Sequence, residues 1–132
     1  MLTNLESAWE LNEASGNALD SHGANELADN NTVGSGTGIV YGTVRDFELD
    51  NNERFTIADN TSLSTGDIDF TFEAWLKMES KNGAFFRFVI AKDDASSNRE
   101  YALYYDANAD RWTWFVTANG SRLSWSMVAT VA

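Results

Sequence analysis

Arg111-Trp112-Thr113-Trp114-Phe115-Val116-Thr117-Ala118-Asn119-Gly120-Ser121-Arg122-Leu123-Ser124-Trp125-Ser126-Met127 reads as two alternating runs around a turn. Asn-Gly between such runs predicts a two-residue type I′ hairpin turn, because both central positions need φ > 0. The register follows: Val116 faces Leu123, Trp114 faces Trp125, and Trp112 faces Met127. Apolar cross-strand pairs of this kind stabilise a sheet by roughly 0.2–1 kcal/mol each. The opposite face carries Arg111, Thr113, Phe115, Arg122, Ser124 and Ser126. One side reads as core and the other as half polar.

Working outward, a four-residue loop at Asp106–Ala109 puts Tyr101 and Leu103 on the Trp face and Tyr104 on the mixed face. Upstream, Asp69–Met78 carries the clearest alternation, with Phe70, Phe72, Ala74, Leu76 and Met78 on one side and Thr71, Glu73, Trp75 and Lys77 on the other. Phe85–Ala91 and Tyr101–Tyr105 have the same period of two. Val44–Leu49 and Arg54–Ala58 read as a hairpin about the turn formers Asn51-Asn52. Weaker strands are expected near Glu26–Ala28 and Ile39–Tyr41, and a short one places Leu5, Trp9 and Leu11 on one face. No helix has convincing caps. About ten short strands with regular turns predict an all-β fold, an antiparallel β-sandwich of jelly-roll type.

Composition agrees with a single domain over residues 1–132, with 43% hydrophobic and 13% aromatic residues. A chain so rich in core formers is not disordered. With no cysteine, disulfide frameworks and thiolate metal sites are excluded. Twenty acids against nine bases give a net charge of −11, which repels phosphate backbones and argues against a nucleic-acid partner. No apolar run approaches the ~20 residues of a membrane span. The opening Met1-Leu2-Thr3-Asn4-Leu5-Glu6 lacks the basic start and apolar stretch of a signal peptide. An exported protein with this sequence has lost its signal, or the domain sits inside something larger.

The order of segments resembles a known family. Ala8-Trp9-Glu10-Leu11-Asn12-Glu13-Ala14-Ser15-Gly16-Asn17, followed by Asp20-Ser21, is similar to the opening of laminin-G-like domains of the concanavalin A-like jelly-roll superfamily. The runs Asp46-Phe47 through Phe55-Thr56-Ile57-Ala58, then Ser62-Leu63-Ser64-Thr65-Gly66-Asp67 and Phe70-Thr71-Phe72-Glu73-Ala74-Trp75-Leu76-Lys77, continue the likeness. Leu49 stands where the family has a small residue. The family pattern also runs on past Ala132 with further strands, so the resemblance implies a truncated, rearranged or redesigned member. It further implies an extracellular, cell-surface or virion-associated recognition module for glycans or proteins, with calcium as the one cofactor it leaves open.

Several constellations bear on chemistry. Glu48-Leu49-Asp50-Asn51-Asn52-Glu53 matches the Glu-x-Asp-x-x-Glu pattern of laminarinase-type glycoside hydrolases, whose paired carboxylates act as nucleophile and general acid. On a hairpin tip those carboxylates scatter into water, so no catalytic residue is assigned. Asp106-Ala107-Asn108-Ala109-Asp110 opens like a calcium loop, but Arg111 and Thr117 stand where glycine and glutamate are required. Asp20, Asp93 and Asp94 are further acids within reach of a jelly-roll calcium site, and the metal ligands stay unassigned. His22, the one histidine, excludes a His-based zinc centre. The mixed face supplies the candidate ligand-binding residues Tyr104, Arg111, Thr113, Phe115 and Arg122, since recognition surfaces favour Tyr and Arg. Leu123, Trp125, Met127, Ala129 and Val131 alternate to the chain's end with nothing to blunt an edge, so a homo-oligomer is expected. The leading reading is a non-catalytic recognition module. A self-assembling unit, natural or engineered, comes second, and a laminarinase-like fragment third.

Overall fold

The computed structural model describes residues 4–40, 42–66, 68–81, 86–93 and 99–117. Met1–Ser62 and Leu63–Ala132 form two compact units. The described elements are β-strands, apart from two single 3₁₀ turns at Leu49–Asn51 and Thr61–Leu63, and all their pairings are antiparallel.

The first unit is held by polar contacts more than by apolar burial. Strand β1 (Ala28–Asn30) pairs with β4 (Arg54–Thr56), and β2 (Gly34–Gly36) with β3 (Val44–Asp46). Two isolated bridges, Trp9 with Asp20 and Ala18 with Leu27, precede them. Arg45 on β3 is the hub, its side chain fully buried. Its guanidinium donates to the carbonyls of Glu13 (3.1 Å), Gly16 (2.9 Å) and Val33 (2.9 Å), and lies 3.5 Å from the Asp29 carboxylate. The same group sits 4.9 Å over the Phe55 ring, and Phe55 meets Phe47 edge-on at 5.4 Å. One cation thus ties β1, β2, β3, β4 and the loop before them.

Asp20 organises the preceding loop. Its carboxylate accepts from the backbone N–H groups of Ala8, His22, Gly23 and Asn25 at 2.8–3.0 Å. Partial desolvation pushes its pKa upward, but those four donors outweigh that effect and hold it far below the ordinary carboxylate range. Gly23 must be glycine, since a Cβ there would lie 2.5 Å from the Glu6 carbonyl and 2.7 Å from the Asp20 carboxylate. Buried Asn25 extends the network, donating to Ser7 and accepting from the indole of Trp9 through its carbonyl and from Asn60 and Ser62 through its side chain.

Two expectations for this unit are corrected. Val44–Leu49 and Arg54–Ala58 do not form a hairpin, because β3 and β4 take different partners and belong to different sheets. The link between them curls into the 3₁₀ turn, with Asn52 in the left-handed region at φ 53°. Ile39 and Val40 form no strand and are exposed. The second strand is instead Gly34-Ser35-Gly36, a sequence with poor β-propensity, drawn in by its register opposite Arg45 and Asp46.

The second unit is built on a three-stranded sheet, β5 (Phe86–Lys92), β6 (Tyr101–Asp106) and β7 (Arg111–Val116), in that order. The β6–β7 turn is Ala107–Asp110, one residue later than expected. That shift moves the register by two residues, so every side chain keeps its expected face. Tyr101, Leu103, Tyr105, Trp112, Trp114 and Val116 share one face. Phe70 and Phe72 cover it, their rings 5.8 and 6.4 Å from that of Trp114. The segment that carries them makes no strand, which corrects the expectation for Asp69–Met78: its alternation selects a face, but no neighbouring strand among the described residues completes a ladder. Glu100 anchors Leu63–Thr65, accepting from the Ser64 hydroxyl and the Thr65 N–H and pairing with Lys92 at 2.9 Å. Ala118–Ala132, including the Asn119-Gly120 turn, Trp125 and the Leu123–Val131 edge, lies outside the described residues.

Replacing Arg45 by Met should destabilise the first unit by about 3–5 kcal/mol, because it leaves the Asp29 carboxylate and three carbonyls without their buried donor. Urea unfolding followed by amide hydrogen exchange at β1, β3 and β4 measures it.

Candidate functional site

The mixed face of the second unit's sheet is where the sequence-derived site residues meet. The register sets Tyr104 opposite Thr113, Ala102 opposite Phe115 and Asp106 opposite Arg111, so Tyr104, Arg111, Thr113 and Phe115 share one face. Arg122 lies outside the described residues. Strand β5 adds two aromatics that alternation within β6 and β7 does not reveal, since Phe86 pairs with Asp106 and Phe88 with Tyr104. A bulge between Phe88 and Ile90 then switches the parity, turning Ile90 to the Trp face opposite Leu103.

Tyr104 is the centre of the face. Its ring lies 4.8 Å from Phe86, 5.2 Å from Phe88 and 6.4 Å from Phe115. The contacts are edge-on or tilted, the arrangements that the aromatic quadrupole favours. Phe86 and Phe88 nevertheless remain 52% and 54% exposed. Half-exposed rings clustered on a sheet differ from scattered surface apolars, and such patches mark binding sites. Thr113 is buried at 4% exposure with no partner for its hydroxyl among the described residues, so it lies beneath the contact surface rather than on it.

The acids around the turn are already engaged. The Asp106 carboxylate accepts from the N–H groups of Asn108 (3.0 Å) and Ala109 (3.2 Å). Asp110, at φ 46°, accepts a hydrogen bond from the buried Tyr105 hydroxyl and pairs with Lys81 at 3.1 Å. The Asp106 bonds are internal to a tight turn, while Asp110 is tied to Tyr105 and Lys81. Asp93 pairs with Arg99 at 3.1 Å, Asp94 lies outside the described residues, and Asp20 is saturated by backbone donors. Among the described residues no three histidines or acids converge on a metal position.

The laminarinase-like motif is used structurally as well. The Glu53 carboxylate accepts from the N–H groups of Glu48 (3.0 Å) and Gly34 (3.4 Å) and from the side chain of Asn51 (2.9 Å). The Glu48 N–H, then Asn51, hold Glu53 below its ordinary pKa, the reverse of what a glycosidic general acid requires. His22 is an exposed loop residue whose N–H caps Asp20.

Comparison of the chain with protein-family models, with curated proteins and with solved structures gives no match.

The hydrogen bond to Asp110, with burial, pushes the Tyr105 phenol up to about 12. A raised folded-state pKa stabilises the fold fully below the unfolded value of ~10, and that contribution is lost as pH climbs through about 12. Ultraviolet titration should show a late-ionising tyrosine, and Asp110→Asn should bring it back toward ~10. An unchanged titration curve in that variant would remove Asp110 as the cause.

Proposed function

We propose that this chain is a non-catalytic recognition module, binding glycan or protein through the aromatic face of β5, β6 and β7. The observation that carries the reading is the Phe86–Tyr104–Phe88 cluster, tightly packed yet with its two phenylalanines half exposed. A folded protein gains by hiding such rings, and a ligand that covers them supplies that gain on binding. Flat aromatic surfaces accept the C–H faces of sugar rings and equally the apolar anchors of a protein surface. Arg111, at the turn end of the same face, offers a fixed fork of donors to hydroxyl, carboxylate or carbonyl groups of the ligand.

The setting belongs to the same proposal. A laminin-G-like jelly-roll sandwich, working outside the cell, on its surface or on a virion, accords with the antiparallel β architecture and with the opening Trp9 motif. Homo-oligomerisation of the module fits this reading, because weak single-site contacts gain from being presented more than once.

Catalysis is not part of the proposal. The carboxylates of the hydrolase-like motif cap a turn, and Glu53 is held ionised there.

Wild-type protein on a glycan array, and in a pull-down against extracellular proteins, should retain a ligand. Phe88→Ala should weaken that binding on the order of tenfold or more, as loss of an aromatic anchor does. Because Phe88 is half exposed, its denaturant midpoint should move little. Trp114→Ala, in contrast, should cost about 3–5 kcal/mol of stability as a core truncation. A ligand held equally well by Phe88→Ala would show that another surface binds it. β-Glucan incubated with the wild type should release no reducing sugar, and release abolished by Glu48→Gln would overturn the non-catalytic reading.

A further inference from the structure

Residues 69–79 combine three properties that rarely coincide. They have the alternation of a strand, they are exposed except at Phe72 and Met78, and no backbone group among them makes a hydrogen bond among the described residues. Trp75, in the middle, is 84% exposed. The even-numbered side is not free, since Phe70 and Phe72 pack on Trp114, and Leu76 and Met78 line a cleft with Trp112. The segment is thus seated on the sheet by its side chains while its backbone stays unpaired. Backbone left unpaired beside a sheet in this way is a template for strand addition.

The sequence of the segment is complementary to itself. Laid antiparallel against a second copy with Trp75 on the two-fold axis, Glu73 falls opposite Lys77 twice. On the other side Ala74 meets Leu76 and Phe72 meets Met78, so apolar faces apolar. Competing registers are worse. Sliding the pair by an odd number of positions sets apolar residues opposite polar ones. Sliding it by two sets either Asp69 or Glu73 opposite Glu79, with like charges in contact. Only the Trp75-centred register satisfies both faces and the charges together.

We propose that residues 69–79 form the homodimer interface of this protein, an antiparallel strand pair about a two-fold axis through Trp75. Such an interface is isologous, each copy offering the same edge. It supplies the backbone partners that the segment lacks among the described residues and covers both Trp75 rings. The net charge of −11 on each copy opposes approach at long range, but screening beyond about 8 Å at physiological salt leaves the local Glu73–Lys77 pairs to decide. This surface is separate from the aromatic face of β5, β6 and β7, so the dimer stands or falls independently of the recognition reading.

The test is charge reversal, followed by sedimentation equilibrium of the full chain from micromolar to several hundred micromolar. Wild-type protein should sediment as twice 14.6 kDa. E73K and K77E each turn both pairs into like-charge pairs, and association should weaken on the order of tenfold or more. An equimolar mixture of E73K with K77E restores opposite charges across the axis, and so does the double variant E73K/K77E; both should dimerise like the wild type. The two positions are exposed, and far-ultraviolet circular dichroism checks that each variant keeps its strands. A wild type that stays monomeric throughout overturns the proposal. So do folded single variants that associate as well as the wild type, or a mixture that gains nothing over its components.

Discussion

The bond between the Tyr105 hydroxyl and the Asp110 carboxylate decides where the β6–β7 turn closes, and the functional reading depends on that closure. Asp110 adopts a positive φ that non-glycine residues rarely take, and it holds there because its side chain is tied to a buried ring. With the turn closed at Ala107–Asp110, Asp106 pairs with Arg111, and every pair back to Tyr101 and Val116 follows. Closing one residue earlier or later on a single strand would exchange the two faces. If that strand is β7, Trp112 and Trp114 would then meet water, and Phe115 would turn toward Phe70 and Phe72 while Tyr104 kept its face. The site is therefore not an independent feature placed on a scaffold. It is the reverse side of the core.

The first unit solves the folding problem differently. Its fully buried apolar residues are few among those described, Ala18 and Val33. A buried guanidinium and a saturated carboxylate take over part of the work, Arg45 collecting carbonyls and Asp20 collecting N–H groups. The two devices are complementary, since irregular loops leave backbone donors and acceptors that no ladder satisfies. Burying a guanidinium is costly unless its donors are matched, and the two terminal nitrogens of Arg45 meet three carbonyls and a carboxylate. Polar networks of this kind tolerate little substitution, because one missing partner strands the others.

This contrast explains what was legible in the sequence. Alternation alone identified the face of each residue in β6 and β7, and so brought Tyr104, Arg111, Thr113 and Phe115 together, because a period of two survives an error of one residue in the turn. Phe86 and Phe88 escaped because a bulge leaves no mark in an apolar run. The phase change at Val89 appears only when β5 is set against β6. The β3–β4 hairpin failed for a related reason. Asn51-Asn52 does form a turn, but turn chemistry says nothing about which strands pair beyond it, and that choice is made by Arg45 and Glu53 through long-range bonds. A strand of Gly34-Ser35-Gly36 could not be foreseen from propensity at all.

The segment 69–79 marks the limit of patterning as evidence. Its alternation is the clearest in the chain, and it does sort the side chains, sending Phe70 and Phe72 onto Trp114. Yet a strand is defined by its backbone partner, and side-chain periodicity cannot name one. Hydrophobic packing and ladder formation are separate contributions here, and only the first is satisfied within the described residues. A sequence that holds a strand pattern without a ladder leaves a specific demand unmet, and the Glu73–Lys77 symmetry about Trp75 meets that demand with the same sequence read backwards. Dimerisation through this edge would also turn a single aromatic face into a pair, which is the arrangement from which a weak recognition surface gains most.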